Sequence, residues 1–133
     1  MDRLFLDANV LFSAAYREDA GVVRLWETDH AELFTSEYAV EEARRNLSEV
    51  EQLERLDRIL RDVLRVAAAT IGPDKRADIE LREKDWPILA GAVQAGATHL
   101  ITGDHRDFGP YFGTTLLGVL IQTPAEYLRR VTE

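Results

Sequence analysis

Two aspartates follow short apolar segments of the sequence. Asp7 comes directly after the run RLFL at 3–6, and Asp104 comes two residues after the run HLIT at 99–102. Each has an ordinary structural explanation, as a helix N-cap for Asp7 and as a turn residue beside Gly103 for Asp104. If both runs are parallel strands, however, both carboxylates lie at one edge of the sheet, which N-capping does not require. Carboxylate oxygens are the ligands that Mg²⁺ and Mn²⁺ prefer.

Two further acids are candidates for the same site. Asp85 precedes Trp86-Pro87, and an aspartate followed by proline commonly opens a helix. Glu42 lies inside a helix predicted after Ser36, where the neighbouring Glu41 leaves the choice between the two glutamates open. Carboxylates from several elements can hold metal ions that orient a water and lower its pKa for phosphodiester cleavage. The sequence contains no Cys–His zinc spacing, glycine-rich phosphate loop or G-x-S-x-G motif that would indicate other chemistry.

The elements that must position these acids alternate between strands and helices. The predicted strands are 3–6, 33–35, 99–102 and 117–121, and the predicted helices are 8–16, 19–26, 36–46, 48–67, 86–95 and 124–130. Ser48 and Glu51 have the spacing of a capping box, and Thr123-Pro124-Ala125-Glu126 places an N-cap, a first-turn proline and an acid in order. This alternation predicts an α/β fold with a mostly parallel sheet, in which ligands bind beyond the carboxyl ends of the strands where the strand order switches.

Composition sets further bounds. A length of 133 residues predicts a single domain over 1–133, and 46% hydrophobic with 30% charged residues is ordinary for a globular protein. Cysteine is absent, no apolar run approaches bilayer length and the beginning MDRLFLD is unlike a secretory signal, so a soluble cytoplasmic protein is expected. The net charge of −8 offers no support for nucleic-acid binding through bulk electrostatics, although a cluster of metal-binding carboxylates has the same sign.

Four segments resemble PIN-domain proteins, especially the VapC-like toxins of toxin–antitoxin pairs. They are LFLDANVLFSA at 4–14, TSEYAVEEARRNL at 35–47, KDWPILAGAVQAGATHLITGD at 84–104 and GVLIQTPAEYL at 118–128. The third segment, with its aspartate, small-residue helix, glycine, strand and T-G-D, is the most specific. The resemblance implies a three-layer α/β/α domain with a strand order close to 3-2-1-4-5. It also implies endonucleolytic cleavage of single-stranded RNA with Mg²⁺ or Mn²⁺.

The resemblance also implies roles by position. The catalytic acids would be Asp7, Glu42, Asp85 and Asp104. Three of them, Asp7, Asp85 and Asp104, would hold metal directly, while Glu42 would bind a second metal or position the water. Many family members have an acid two positions beyond the fourth one, but here Arg106 stands there, so Asp107 is only a possible metal ligand. Supporting residues would be Asn9, Ser36 and Thr102, and candidates for guiding the RNA backbone are Arg44, Arg45, Lys84 and Arg106.

The resemblance implies two kinds of protein partner. Toxins of this type form homodimers and are blocked by a small antitoxin that covers the acidic cleft. An antitoxin would need an exposed apolar groove, for which the 48–67 helix is a candidate, but its apolar positions fit a buried core equally well. The RNA target, the identity of the metal and the existence of a cognate antitoxin stay open.

Other functions compete with the nuclease. An aspartyl-phosphate phosphatase needs a second aspartate two positions after the first, where this chain has Asn9, and a receiver domain needs paired acids and a late lysine that are not evident. The serious alternative is a non-catalytic PIN-like module that binds RNA or protein. The presence of all four acids favours an enzyme.

Overall fold

The computed structural model describes residues 1–132. Its six strands are β1 (Asp2–Leu6), β2 (Ala31–Ser36), β3 (Val63–Val66), β4 (His99–Ile101), β5 (Thr115–Leu116) and β6 (Val119–Gln122). Its six α-helices are α1 (Ala8–Tyr16), α2 (Glu37–Arg45), α3 (Val50–Leu60), α4 (Pro73–Arg76), α5 (Trp86–Gln94) and α6 (Pro124–Thr132). Three 3₁₀ helices cover Gly21–Glu27, Glu83–Asp85 and Gly109–Tyr111.

The sheet has the order β3-β2-β1-β4-β6-β5. All neighbouring strands run parallel except β5, which forms an antiparallel pair with β6. Helices cover both sides of the sheet, so the α/β prediction is confirmed and the expected order of the parallel strands holds once the short strand β5 is set aside. The strand order reverses between β1 and β4, where Leu6 lies opposite Ile101. Ligands of such sheets bind at this switch point.

A continuous hydrophobic core lies between the sheet and its helices. The side chains of Leu4, Phe5 and Leu6 are fully buried, which explains the absence of alternation in β1. In α5, an ideal Cβ at Gly91 would lie 2.7 Å from Cζ of Phe5. Helix α5 therefore approaches the first strand closely only because position 91 carries no side chain. None of the helices described within 1–132 is long and apolar enough to span a membrane.

The segment after α3 corrects one prediction. The helix expected over 48–67 ends at Leu60, and Val63–Val66 form β3 at the edge of the sheet beside β2. The apolar residues of 60–67 match a helical repeat, but the β-branched Val63 and Val66 also suit a strand, and pairing with β2 decides between them. The helix begins one residue later than the expected capping box, with Glu49 and Gln52 as the reciprocal pair.

Other boundaries are closer to expectation. Helices α1, α2 and α5 lie where they were predicted, and Thr123 and Glu126 exchange the two hydrogen bonds of a capping box before α6. The segment predicted as a helix from Asp19 is instead the 3₁₀ helix Gly21–Glu27. The last main strand is Val119–Gln122, because Leu117 and Gly118 adopt positive φ in the turn that joins it to β5.

Candidate active site

Asp7 lies at the switch point between β1 and β4. Its side chain is 4% exposed, and Oδ1 accepts a hydrogen bond of 2.6 Å from the amide of Ala8 at the start of α1. Its other oxygen, Oδ2, accepts from the hydroxyl of Thr102 at 2.8 Å and from the side-chain nitrogen Nδ2 of Asn9 at 3.1 Å. Asp7 is therefore both a helix cap and a buried carboxylate fixed toward the end of β4, so its two interpretations from sequence are compatible.

The turn after β4 presents two more carboxylates. Oγ1 of Thr102 accepts from the amide of Asp104 at 3.0 Å, so one hydroxyl orients both Asp7 and the turn. Oδ1 of Asp104 accepts from the amides of Arg106 and Asp107, each at 3.1 Å. Asn9 holds the same turn from α1, since its Oδ1 accepts from the amide of Gly103 at 2.7 Å. These bonds bring Asp107 back beside Asp104.

Three carboxylates converge beyond this turn. Oxygen atoms of Asp85, Asp104 and Asp107 all lie within 4.8 Å of one another. Asp85, at the end of a 3₁₀ helix and the start of α5, is 4% exposed and makes no N-capping bond with its side chain. Its Oδ2 is buried and has no hydrogen-bond partner among the described residues. We call Asp85, Asp104 and Asp107 the acid cluster.

Two cations partly neutralise the acid cluster. Nζ of Lys84 lies 3.1 Å from Oδ1 of Asp85 and 3.3 Å from Oδ2 of Asp107. Nε of Arg82 lies 3.0 and 3.2 Å from the two oxygens of Asp107. The proximity of Asp85, followed by the bond from Arg82, lowers the pKa of Asp107, whereas burial, followed by the proximity of Asp107, raises the pKa of Asp85 to about 7. The pair therefore holds one proton more readily than two separate aspartates would.

Two further acids, Asp7 and Glu42, contribute to the electrostatics of the site. Burial raises the pKa of Asp7 to about 6, and the charges of Glu42 and Asp104 add to this rise. Glu42 is half-buried on α2, whose N-terminus is capped by Ser36 through a bond of 3.2 Å from the amide of Ala39. Glu41 is exposed. Asp7 is therefore coupled electrostatically to Glu42 and Asp104, although neither Asp7 nor Glu42 belongs to the acid cluster.

The four basic residues proposed from the sequence differ in their contacts and exposure. Lys84 contacts the acid cluster, whereas Arg44 pairs with Asp57 of α3 at 3.4 Å. The side chains of Arg45 and Arg106 are exposed. Arg44 is thus engaged in a bond between helices, and the other three are the better candidates for contact with a phosphate backbone.

Two residues near the acids were not predicted. Arg82 binds Asp107, but a lone arginine in a polar connection carries no sequence signal for this role. Tyr38 donates a hydrogen bond of 2.7 Å from its hydroxyl to the carbonyl of Lys84 and so joins α2 to the segment before Asp85. Burial, followed by the charges of Glu42 and Asp85, raises the pKa of Tyr38.

The residues present suit a hard divalent cation. The site offers only oxygen ligands at the acid cluster, and the buried Oδ2 of Asp85 lacks a donor within residues 1–132. Burial raises the pKa values of Asp7 and Asp85, and a bound cation would offset the cost of ionising both groups. Oxygen ligands with this charge fit Mg²⁺ or Mn²⁺ and do not fit a soft metal.

Comparisons with known proteins identify the family and the fold. The PIN domain family model matches residues 3–106. No curated protein sequence matches the chain. The fold is similar to that of VapBC2 from Rickettsia felis in a structure bound to a DNA fragment from its promoter. The TM-score is 0.59, and the identity is 11% over 91% of this chain and 98% of that one. It is also similar to VapBC-1 from nontypeable Haemophilus influenzae, with a TM-score of 0.58 and 11% identity over 92% and 98% of the two chains.

A third similar structure is FitAB bound to the IR36 DNA fragment, with a TM-score of 0.53 and 18% identity over 91% of this chain and 94% of that one. At these identities the structural likenesses establish the fold, and the family model, which covers most of the chain, establishes the family. The chain belongs to the PIN domain family.

Proposed function

We propose that this chain is a metal-dependent endoribonuclease that cleaves single-stranded RNA. The observation that carries the proposal is the acid cluster, in which three carboxylates from two separate segments have oxygens within 4.8 Å of one another at the switch point of the sheet. A structural role alone gives no reason to place so many like charges together, because each raises the energy of the others. Membership of the PIN domain family supports the same conclusion.

The chain's own residues divide the work. Asp7, Asp85, Asp104 and Asp107 would hold Mg²⁺ or Mn²⁺. Bound there, the metal would supply a polarised water and offset the charge of the scissile phosphate. Glu42, on a different helix, would bind a second ion or orient the attacking water. Thr102 and Asn9 fix Asp7 and the turn before any ligand arrives, so little reorganisation is needed on binding.

RNA contact would fall to cations beside the acids. Lys84 lies against the acid cluster with half of its side chain exposed, and the side chains of Arg45 and Arg106 are exposed. These side chains would contact the phosphate backbone and set its position without reading sequence. The net charge of −8 implies that such contacts are local, since the protein as a whole repels RNA.

We further propose that the chain is the toxin component of a toxin–antitoxin pair and forms a homodimer. The support is the similarity of fold to VapBC2, VapBC-1 and FitAB. An antitoxin would act by covering the acid cluster, and residues 1–133 would act as one domain. Co-expression with the protein encoded next to this chain, followed by co-purification and loss of cleavage, tests the pairing.

The nuclease itself is tested with end-labelled single-stranded RNA incubated with Mn²⁺, with EDTA, and with the Asp104→Asn protein. Asp78→Asn is the matched control, because Asp78 is exposed in the connection before the site. We expect cleavage by the wild type and by the control in Mn²⁺, and none with EDTA or Asp104→Asn. Identical products from wild type and Asp104→Asn would reveal a contaminating nuclease. Metal binding without cleavage of a broad RNA panel would favour a non-catalytic binding module.

A further inference from the structure

A cavity of about 770 Å³ lies beside the acid cluster. It is formed between the 3₁₀ helix Gly21–Glu27, the turn after β4 and the beginning of α6. Its volume falls within the range of roughly 300–1,000 Å³ that is usual for small-ligand sites. Its lining residues include Val22, Arg24, Gly103, His105, Pro124 and Leu128. We call this space the α6 cavity.

The α6 cavity and the acid cluster share the turn after β4. Gly103 and His105 line it, and the residue between them is Asp104 of the acid cluster. The turn is held by the bond from Gly103 to Asn9, so the positions of cavity and cluster are fixed relative to each other. A polymer bound with one unit at Asp104 would therefore reach the cavity with an adjacent unit.

The charge of the α6 cavity is opposite to that of the whole protein. Two arginines and a histidine line it, and none of its lining residues is acidic, although the chain carries a net charge of −8. The side chain of Arg24 is exposed and forms no ion pair within residues 1–132. An anionic ligand is thus attracted here and repelled from most of the remaining surface.

The surface of the α6 cavity is also partly apolar. Val22, Pro124 and Leu128 supply carbon surface, and the ring of His105 lies edge-on to Phe112 with ring centroids 5.2 Å apart. A phosphate alone would need only the cations. A nucleotide unit combines a phosphate with a flat base, which packs on apolar, imidazole or guanidinium surfaces.

We propose that the α6 cavity binds the nucleotide next to the scissile phosphate of a single-stranded RNA. Arg24 contacts its phosphate, and its base packs between His105 and the apolar side chains. The base must be unstacked from its neighbours to enter, which selects single-stranded over double-stranded RNA. This inference rests on the proposed ribonuclease function and extends it by naming a substrate site.

Two variants test the proposal without touching the acids. An ideal Cβ at Gly21 meets no atom within 4 Å, so Gly21→Phe can fill part of the cavity without a clash at its base. Its matched control is Gly72→Phe, at a glycine that is equally open but lies outside the cavity. Arg24→Gln removes the exposed charge, and its control is Arg61→Gln, at an exposed arginine after α3.

Two measurements are made on each protein. The first is the dissociation constant for a fluorescein-labelled single-stranded RNA of ten nucleotides, by anisotropy in Ca²⁺ buffer. The second is kcat/KM with Mn²⁺ for the same RNA and for bis(p-nitrophenyl) phosphate, a diester without nucleotides. We expect Gly21→Phe to exclude the base and Arg24→Gln to lose a phosphate contact. Each should weaken RNA binding by about fivefold to tenfold, as for the loss of one ordinary hydrogen bond, and lower the ratio of RNA to diester cleavage equally. The controls should match the wild type.

The outcomes separate this proposal from the proposed function. If the wild type cleaves neither substrate but binds RNA, and both variants weaken that binding, the ribonuclease fails and the RNA site stands. RNA binding that is absent from the wild type, or equal in wild type and both variants, overturns the site even if the diester is cleaved. A change of sedimentation coefficient in Gly21→Phe without loss of RNA binding overturns it as well, because the cavity would then contact a second copy of the chain.

Discussion

Nζ of Lys84 lies 3.1 Å from Oδ1 of Asp85. The same ammonium lies 3.3 Å from Asp107, so a lysine of the chain occupies the space between two acids of the cluster. Its positive charge offsets part of the repulsion among the carboxylates. A divalent cation that binds the same oxygens must therefore compete with this lysine.

Replacement of Lys84 tests that competition. We expect Lys84→Met to bind Mn²⁺ about twofold to fivefold more tightly than the wild type, the range that follows from a half-exposed ion pair worth at most about 1 kcal/mol. Isothermal titration calorimetry measures the affinity, with Lys75→Met in α4 as the control. Unchanged or weaker binding would show that the ammonium does not compete with the metal. A higher KM for RNA in the same variant would add a phosphate contact to its role.

The raised pKa values predict how stability depends on pH. The pKa of Asp7 is about 6 and that of Asp85 about 7 in the folded protein, both above the unfolded value of 3.8. The folded state therefore holds protons that the unfolded state releases, and the stabilisation present near pH 4 is lost as pH rises through 6 and 7. The lowered pKa of Asp107 acts only below its ordinary range, outside this window.

Asp85→Asn isolates this effect. The buried amide cannot ionise and can donate to Asp107, so the metal-free variant should be about 1–2 kcal/mol more stable than the wild type at pH 8. The advantage should shrink toward pH 5. Burial also lowers the pKa of His99, and this effect makes stability rise with pH. The test therefore compares the thermal unfolding of variant and wild type at each pH, instead of following how the stability of one protein depends on pH. Saturating Mn²⁺ should stabilise the wild type and not the variant.

Some of this site could be predicted from the sequence because it depends on strand ends. Asp7 and Asp104 follow buried apolar runs, and parallel pairing of Leu6 with Ile101 brings the two ends together. Ser36 similarly marks the start of α2 and so the position of Glu42. In each case a local pattern of the chain and one general rule of sheet geometry are sufficient.

Other parts depend on contacts that no local pattern contains. Asp107 reaches the acid cluster because its amide bonds to Asp104, and the family pattern instead points to the position of Arg106. Arg82 is held by Asp107, which lies 25 residues away. The strand Val63–Val66 was predicted as helix because its apolar spacing suits both structures, and pairing with β2 is a long-range choice.

Thr102 is predicted to position two residues of the site, Asp7 and Asp104. Its hydroxyl donates to Asp7 and accepts from the amide of Asp104, and its side chain is fully buried. Thr102→Val should cost about 1–3 kcal/mol of stability because buried polar groups lose a partner, and should also weaken Mn²⁺ binding. Thr35→Val is the control, since Thr35 is equally buried but donates to the carbonyl of Leu6 at 2.9 Å. Equal loss of metal affinity in both variants would contradict a specific role for Thr102.

The close approach of α5 to β1 predicts a large effect from a small change. A methyl group at Gly91 would lie 2.7 Å from the ring of the buried Phe5, so Gly91→Ala should lower the free energy of unfolding by about 1–3 kcal/mol through overpacking. Chemical denaturation measures the change, and Gly72→Ala, at an open position, is the control. The double variant with Phe5→Leu should recover part of the loss. No recovery would indicate that backbone displacement, rather than the ring contact, causes the destabilisation.

Adjacent glutamates on α2 provide the closest matched pair in the chain. Glu42 is half-buried and raises the pKa of Asp7, whereas Glu41 is exposed on the same helix. We expect Glu42→Gln to lower Mn²⁺ affinity or cleavage by about tenfold, as for groups that support metal ligands, and Glu41→Gln to leave both intact. Equal effects of the two variants would show that burial does not identify the functional glutamate. Calorimetry then distinguishes the two roles of Glu42, because a lost ligand lowers the number of ions bound, whereas a lost water contact lowers kcat at unchanged stoichiometry.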